Sequence, residues 1–252
     1  MNSSRQMSLD GKWALITGGA RRIGARVVER LHDAGCNVAI HYRHSAQDAQ
    51  ALADRLNAVR SDSVVLCRAD LHETDGLVAL LRELVDRTGR LDILINNASS
   101  FYPTPLGTID EVHWDDLVGS NLKAPLFLSQ AAWPYLRDSH GVIINLLDIH
   151  ARRPLRNHIV YGAAKAGLEM LTRSLAKEMA PEVRVNAVSP GAILWPEEGM
   201  NTDLQQKIIR ETPLARSGDP DDIASCILYL VRDASFVTGQ NIAVDGGRSL
   251  GW

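Results

Sequence analysis

Short apolar runs alternate with longer segments in which apolar residues return every three or four positions, almost from one end of the chain to the other. Trp13–Thr17 reads as a first strand, followed by a helix to about Ala34 with a cap at Gly35. Asn37–Tyr42 predicts a second strand and Ala46–Val59 a helix. Val64–Cys67 predicts a third strand, then Thr74–Arg87 a helix ending at Gly89. Leu91–Ile95, a fourth strand, is apolar throughout, as expected of a strand buried on both faces. Two helices are predicted near Asp110–Gly119 and Leu122–Leu136, a fifth strand at Val142–Leu147 and a long helix over Val160–Ala180. A sixth strand at Arg184–Val188, helices near Asp203–Arg210 and Pro220–Val231, and a last strand at Asn241–Val244 complete the pattern.

Strand–helix alternation with short connections predicts an α/β fold, a single Rossmann-like, doubly wound parallel sheet flanked by helices, as one domain over residues 1–252. In such sheets ligands lie beyond the carboxyl ends of the strands, so residues just after each strand carry the chemistry. The polar segment Gly191–Thr202, with Leu194 and Trp195, is long enough to act as a lid over a substrate.

Composition narrows the classes without naming one. With 252 residues, 45% of them hydrophobic, the chain can build one large core, and a net charge of −3 gives no general attraction to nucleic acid or to an anionic membrane. Cys36, Cys67 and Cys226 are scattered and odd in number, which fits a reducing compartment rather than a disulfide framework. Met1–Asp10 has no apolar signal core and no apolar stretch is long enough to span a bilayer, so a soluble cytoplasmic protein is expected. The histidines show no metal-ligand spacing.

Thr17-Gly18-Gly19-Ala20-Arg21-Arg22-Ile23-Gly24 follows the first strand directly. Glycines here let the backbone turn sharply and approach a pyrophosphate, which the next helix's N-terminus stabilises. A glycine turn is weak evidence by itself; its position opening a helix strengthens it. The end of the second strand discriminates further. An acid there would bond a ribose 2′-hydroxyl and repel a 2′-phosphate, but this chain has His41-Tyr42-Arg43-His44-Ser45, with Arg21 and Arg22 on the neighbouring loop. Forked guanidinium groups suit a phosphate, so NADPH is expected over NADH. Asp70, followed by Leu71, could bond the adenine amino group, and Asn96-Asn97-Ala98-Ser99 could line the cofactor; each could equally serve a cap or turn.

Tyr161 and Lys165 stand four residues apart at the start of the long helix and so share a face. A nearby ammonium favours tyrosinate, and this spacing predicts a phenol with lowered pKa acting as proton donor.

Together these segments resemble the short-chain dehydrogenase/reductase family along nearly the whole chain: the Gly18–Gly24 turn, Asn96-Asn97-Ala98, Asn121, Tyr161 and Lys165, Ser189-Pro190-Gly191, and Val244-Asp245-Gly246-Gly247. The resemblance implies that Lys165 also holds the nicotinamide ribose, that Asn121 supports a proton-relay water, and that Pro190-Gly191 passes beside the nicotinamide. It also implies a homotetramer, with Gly246–Trp252 near a subunit contact. Two departures point to a subfamily. Arg22 replaces the turn's middle glycine, and Asp148, thirteen residues before the tyrosine, replaces the usual serine. Both features look like the pteridine reductases, as do the Asn97–Pro105 segment and His41–Ser45. By that resemblance Phe101 stacks a pterin against the nicotinamide, and Arg22 contacts cofactor phosphate and substrate, with Ser99, Asp148, Tyr161, Leu194 and Trp195 completing the substrate site. The order Arg43-His44-Ser45 departs from any fixed pattern, leaving the individual 2′-phosphate ligands open.

The expectation is NADPH-dependent hydride transfer to the C=N bond of a dihydropterin or dihydrofolate, with Asp148, Tyr161, Lys165 and Asn121 as the catalytic set. Core packing is the plain alternative for Phe101, and turn capping for Asp148. A 3-oxoacyl carrier-protein reductase, or other carbonyl reductase, is the enzymatic alternative. A catalytically silent NADP-binding sensor is the other.

Overall fold

The computed structural model describes residues 8–194 and 201–251. Seven strands form one parallel sheet in the order β3-β2-β1-β4-β5-β6-β7. They are β1 (Trp13–Ile16), β2 (Asn37–Tyr42), β3 (Val64–Arg68), β4 (Ile93–Asn96), β5 (Val142–Leu146), β6 (Arg184–Pro190) and β7 (Asn241–Val244). Chain order reverses between β1 and β4, which pair in parallel from Ala14↔Ile93 to Ile16↔Ile95. That switch point leaves a crevice at the carboxyl ends of the two strands, where ligands of doubly wound sheets bind.

Side-chain alternation builds the two layers. Ala14 and Ile16 face one side, against Val27, Val28 and Leu31 of α1 (Arg22–Asp33), Leu52 and Leu56 of α2 (Ala46–Val59), and Ile223 and Ile227 of α8 (Pro220–Arg232). Trp13 and Leu15 face the other side, against Leu77, Leu81 and Leu84 of α3 (Thr74–Thr88), Leu128 and Ala132 of α5 (Ala124–Ser139), and Leu175 of α6 (Ile159–Glu178). No helix among the described residues is long and apolar enough to cross a membrane.

The predicted elements are present, most with one or both ends shifted by one or two residues. β4 starts at Ile93 rather than Leu91, because the Asp92 carboxylate accepts from the Trp13 amide at 3.0 Å and holds the chain just before the strand. β6 runs two residues further, to Pro190, by pairing with Val244. The two helices predicted near 110–136 are not separated by a loop. The short helix α4 (Glu111–Val118) passes into α5 through a single π turn, Gly119–Lys123, which inserts one residue into the helical repeat. Asn121 lies in that turn. The helix α7 (Thr202–Glu211) follows residues 195–200, so Trp195 and half of the expected lid lie outside the described residues.

Candidate active site

The glycine turn is held from below by side chains rather than by its own ladder. Gly18 has φ +59, and a β-carbon there would come within 3.1 Å of Ala98 Cα, so glycine is favoured both for the conformation and for the approach. The Thr17 hydroxyl accepts from the Asn97 and Ala98 amides at 2.8 and 3.0 Å, and Asn97 Nδ2 donates to the carbonyls of Thr17 and Gly18. Asn97 therefore binds the end of β4 to the turn after β1 through its Nδ2.

His41 departs from its expected place beside a 2′-phosphate. Its ring is 2% exposed, its Nδ1 accepts from the Gly18 amide at 3.2 Å, and its Nε2 lies 3.2 Å from the Ala69 carbonyl. Burial pushes its pKa down to about 4, against the pull of the Ala69 carbonyl and Asp70. The neutral ring with its proton on Nε2 satisfies both partners, so His41 shapes the turn from inside and does not face a ligand. Its neighbours do reach the surface. Tyr42 is half-buried, while Arg43 and His44 are exposed, with Arg43 Nε donating to His44 Nε2 at 2.7 Å. Ser45 is the N-cap of α2 but makes no side-chain cap bond. Arg21, on the adjoining loop, and Arg22, the first residue of α1, are exposed, Ile23 is partly buried, and Arg22 adopts φ +54, a left-handed conformation that side chains rarely take. Asp70 lies across from Arg43 at 3.5 Å, and burial, which would raise its pKa, is outweighed by hydrogen bonds from His72 and by Arg43. Leu71 is buried beneath this cluster.

The chemical end assembles around α6. The Tyr161 hydroxyl donates to Asp148 Oδ2 at 2.8 Å, and Asp148 Oδ1 accepts from the His150 amide at 2.8 Å, capping the turn Ile149–Ala151. Capping and partnership with the tyrosine are thus met by different oxygens of one carboxylate. Lys165 is buried and donates from Nζ to the Leu146 carbonyl at 2.7 Å, with Nζ 5.7 Å from the tyrosine ring centre.

These distances reverse one expectation. The phenol pKa is not lowered by the lysine; burial first, and then the charge and hydrogen bond of Asp148, push it well above the ordinary tyrosine value. A carboxylate bonded directly to the hydroxyl outweighs an ammonium beyond the ring. Burial also pulls Lys165 down to about 8, with Asp148 opposing.

Asn121 is 1% exposed. Its Nδ2 donates to the Ser100 carbonyl at 2.9 Å and the Leu117 carbonyl at 3.0 Å, while its buried Oδ1 has no hydrogen-bond partner in the protein. An orphaned buried acceptor of this kind fits a bound water in a relay.

Phe101 is half exposed, which excludes the core-packing alternative. Its ring meets Tyr161 edge-on at 4.8 Å and lies nearly parallel to the His158 ring, also at 4.8 Å. Its loop is tied to the start of α6 by the Thr104 amide, which donates to the Asn157 carbonyl at 2.5 Å. Ser99 beside it is exposed. Pro190 ends β6 and Gly191 follows it, where a β-carbon on Gly191 would fall 2.6 Å from Asp245 Cβ, and Leu194 is partly exposed beyond them. The glycine cradle, the exposed guanidinium groups after β1 and β2, and the orphaned Asn121 oxygen together fit a dinucleotide lying across the switch point. Among the described residues no cluster of His, Cys, Asp and Glu could hold a metal ion.

The structure brings Asp148, Tyr161, Lys165 and Phe101 into one group. Sequence reasoning missed Thr17, the buried role of His41, and His158 behind Phe101, none of which has a local signal.

Comparison with known proteins agrees. A family model described as enoyl-(acyl carrier protein) reductase, of the short-chain dehydrogenase type, matches residues 18–249. The chain is 38% identical to pteridine reductase 1 of Leishmania tarentolae, over 94% of this chain and 96% of that one. It is 36% identical to the 3-oxoacyl-[acyl-carrier-protein] reductase FabG of Staphylococcus aureus, over 94% and 97%. A crystal structure from Sinorhizobium meliloti 1021, described as a short-chain alcohol dehydrogenase, superposes with a TM-score of 0.91 at 31% identity, covering 97% of this chain and 99% of that one. The chain belongs to the short-chain dehydrogenase/reductase family of oxidoreductases.

Proposed function

We propose that this protein is an NADPH-dependent pteridine reductase that reduces the C=N bond of a dihydropterin or dihydrofolate. The observation that carries the reading is the 2.8 Å bond from the Tyr161 hydroxyl to a carboxylate, Asp148, beside the exposed ring of Phe101. NADPH supplies the hydride when bound. Arg21, Arg22, Arg43 and Ser45 would hold its 2′-phosphate end, with Asp70 and Leu71 at the adenine. The backbone of Gly18, Ile23, Ala98 and Ser99, together with Lys165, Pro190 and Gly191, would hold the rest.

Hydride addition to a C=N carbon leaves charge on the ring nitrogen, which must take up a proton. Tyr161 can give its proton to that nitrogen, and the Asp148 carboxylate, which accepts the phenol's hydrogen bond, would take a proton from solvent and pass it on to restore the phenol. A raised pKa keeps the phenol protonated until hydride arrives, and transfer from this weaker acid is driven by the strong basicity of the ring nitrogen that hydride addition creates. Phe101, backed by His158, offers a flat face to a pterin ring, and aromatic stacking at this spacing sets the ring for transfer. Arg22, Ser99, Leu194 and Trp195 would complete the substrate pocket.

Reduction of a 3-oxoacyl thioester is the second reading, favoured by the comparable identity to FabG. Asp148 separates the two, since the serine usual at its position serves a carbonyl oxygen. NADPH consumption measured side by side with dihydrobiopterin, dihydrofolate and an acetoacetyl thioester tests the proposal. Turnover of the pterin or folate is expected; turnover of the thioester alone would replace it with the carbonyl reading, and turnover of none would favour a silent NADP-binding protein. We also propose a cytoplasmic homotetramer.

A further inference from the structure

His72, four residues beyond the end of β3, joins side chains that belong to opposite ends of the site. Its Nδ1 lies 2.9 Å from Asp70 Oδ1, and its backbone amide donates to the same oxygen at 3.0 Å. Arg43 Nη1 approaches both partners, at 3.5 Å from Asp70 Oδ1 and 3.4 Å from His72 Nδ1. The other ring nitrogen faces α4. Nε2 lies 3.3 Å from the Asp116 carbonyl and 3.4 Å from its carboxylate.

From Asp116 the bonds continue without a break. Its carboxylate accepts from the Ser100 hydroxyl at 3.2 Å, and its carbonyl accepts from the Ser120 hydroxyl at 2.8 Å. Ser120 Oγ accepts from the Ser100 amide at 3.2 Å, and the Ser100 carbonyl accepts from Asn121 Nδ2 at 2.9 Å. The imidazole also sits against Gly119, the first residue of the π turn. A β-carbon there would fall 2.6 Å from His72 Cδ2, so a glycine is needed to seat the ring. Two independent features, the polar path and the fitted glycine, therefore place His72 between Arg43 and Asn121.

We propose that His72 is a positioning residue that couples occupation of the adenosine 2′-phosphate end to the order of the Asn121 turn. The proposal rests on the dinucleotide reading above. Arg43 cannot keep its contact with Asp70 and also turn its whole fork to a phosphate. When it turns, the Asp70 carboxylate leans on His72, and the second nitrogen carries that change to Asp116, Ser120 and Asn121. Such coupling needs a contiguous set of bonds with two arrangements, and His72 is the link between its halves.

The test uses 2′,5′-ADP, an adenosine-end fragment without a nicotinamide, and amide hydrogen exchange over residues 116–123. In the wild-type protein saturating fragment slows exchange there several-fold. In His72→Phe the fragment still binds, but at saturation the slowing is lost. His72→Gln, which keeps one amide donor, gives an intermediate effect and carries the test by itself if the Phe variant does not fold. Equal slowing in wild type and variants, or binding to the wild type with no slowing, would overturn the role of His72 and leave the dinucleotide reading standing. Failure of the fragment to bind the wild type would overturn that reading and the coupling with it.

Discussion

The Tyr161 hydroxyl and the Asp148 carboxylate are joined by a single 2.8 Å bond, while the other carboxylate oxygen is spent on the His150 amide. Asp148 is thus fixed by the backbone it caps and presents one oxygen to the phenol. Replacing it by Asn keeps the shape and removes the charge that raises the phenol pKa. In Asp148→Asn, tyrosinate absorbance followed through an alkaline titration shows one tyrosine ionising at lower pH than in the wild type. An unchanged titration would mean that burial alone holds the phenol up.

Lys165 carries the second pH-dependent step. Burial lowers it to about 8, so it loses its charge as the pH rises through that value. The log of kcat/KM for the free enzyme therefore falls above pH 8, and Lys165→Met loses activity at all pH values without retaining that limb. A wild-type profile flat to pH 10 would contradict this.

Arg43 is exposed and able to fork onto a phosphate. Hydrogen bonds to charged groups contribute about 1.5–3 kcal/mol, so Arg43→Ala raises the KM for NADPH by roughly 10- to 100-fold and that for NADH far less. Steady-state kinetics with both cofactors decide it; equal effects would remove Arg43 from the 2′-phosphate.

Arg21 and Arg22 offer a matched pair for backbone strain. Arg22 sits at φ +54 and Arg21 at φ −141. Left-handed conformation costs a side-chain-bearing residue about 1–2 kcal/mol, which glycine does not incur. Arg22→Gly is therefore more stable than Arg21→Gly by about that amount in urea denaturation, while weakening NADPH binding. A stability order in the other direction would show that contacts of the Arg22 side chain outweigh the strain.

Much of this was legible in the chain, for physical reasons. β2, α2 and β7 match their predicted bounds, because apolar periodicity is a local property and each is closed by a clear change of pattern. The grouping of Tyr161 with Lys165 follows from helix geometry alone. The π turn escaped because one inserted residue shifts the helical phase without breaking the apolar pattern. His41 was misplaced because position after a strand says where the backbone goes and not which way a side chain turns. The direction of the Tyr161 shift was missed for a related reason. The lysine is visible at i+4, but the carboxylate that outweighs it arrives from another strand end, through a contact that only the folded sheet makes.

The central claim is that Asp148 adapts the Tyr161 site to a pterin nitrogen instead of a carbonyl oxygen, and the most direct measurement is the ratio of kcat/KM for dihydrobiopterin to that for an acetoacetyl thioester in wild type and Asp148→Ser. The ratio is expected to fall by roughly 100-fold or more in the variant, the scale of a lost general acid–base partner. An Asp148→Ser enzyme that keeps its full pterin activity, with the ratio unchanged, would contradict it.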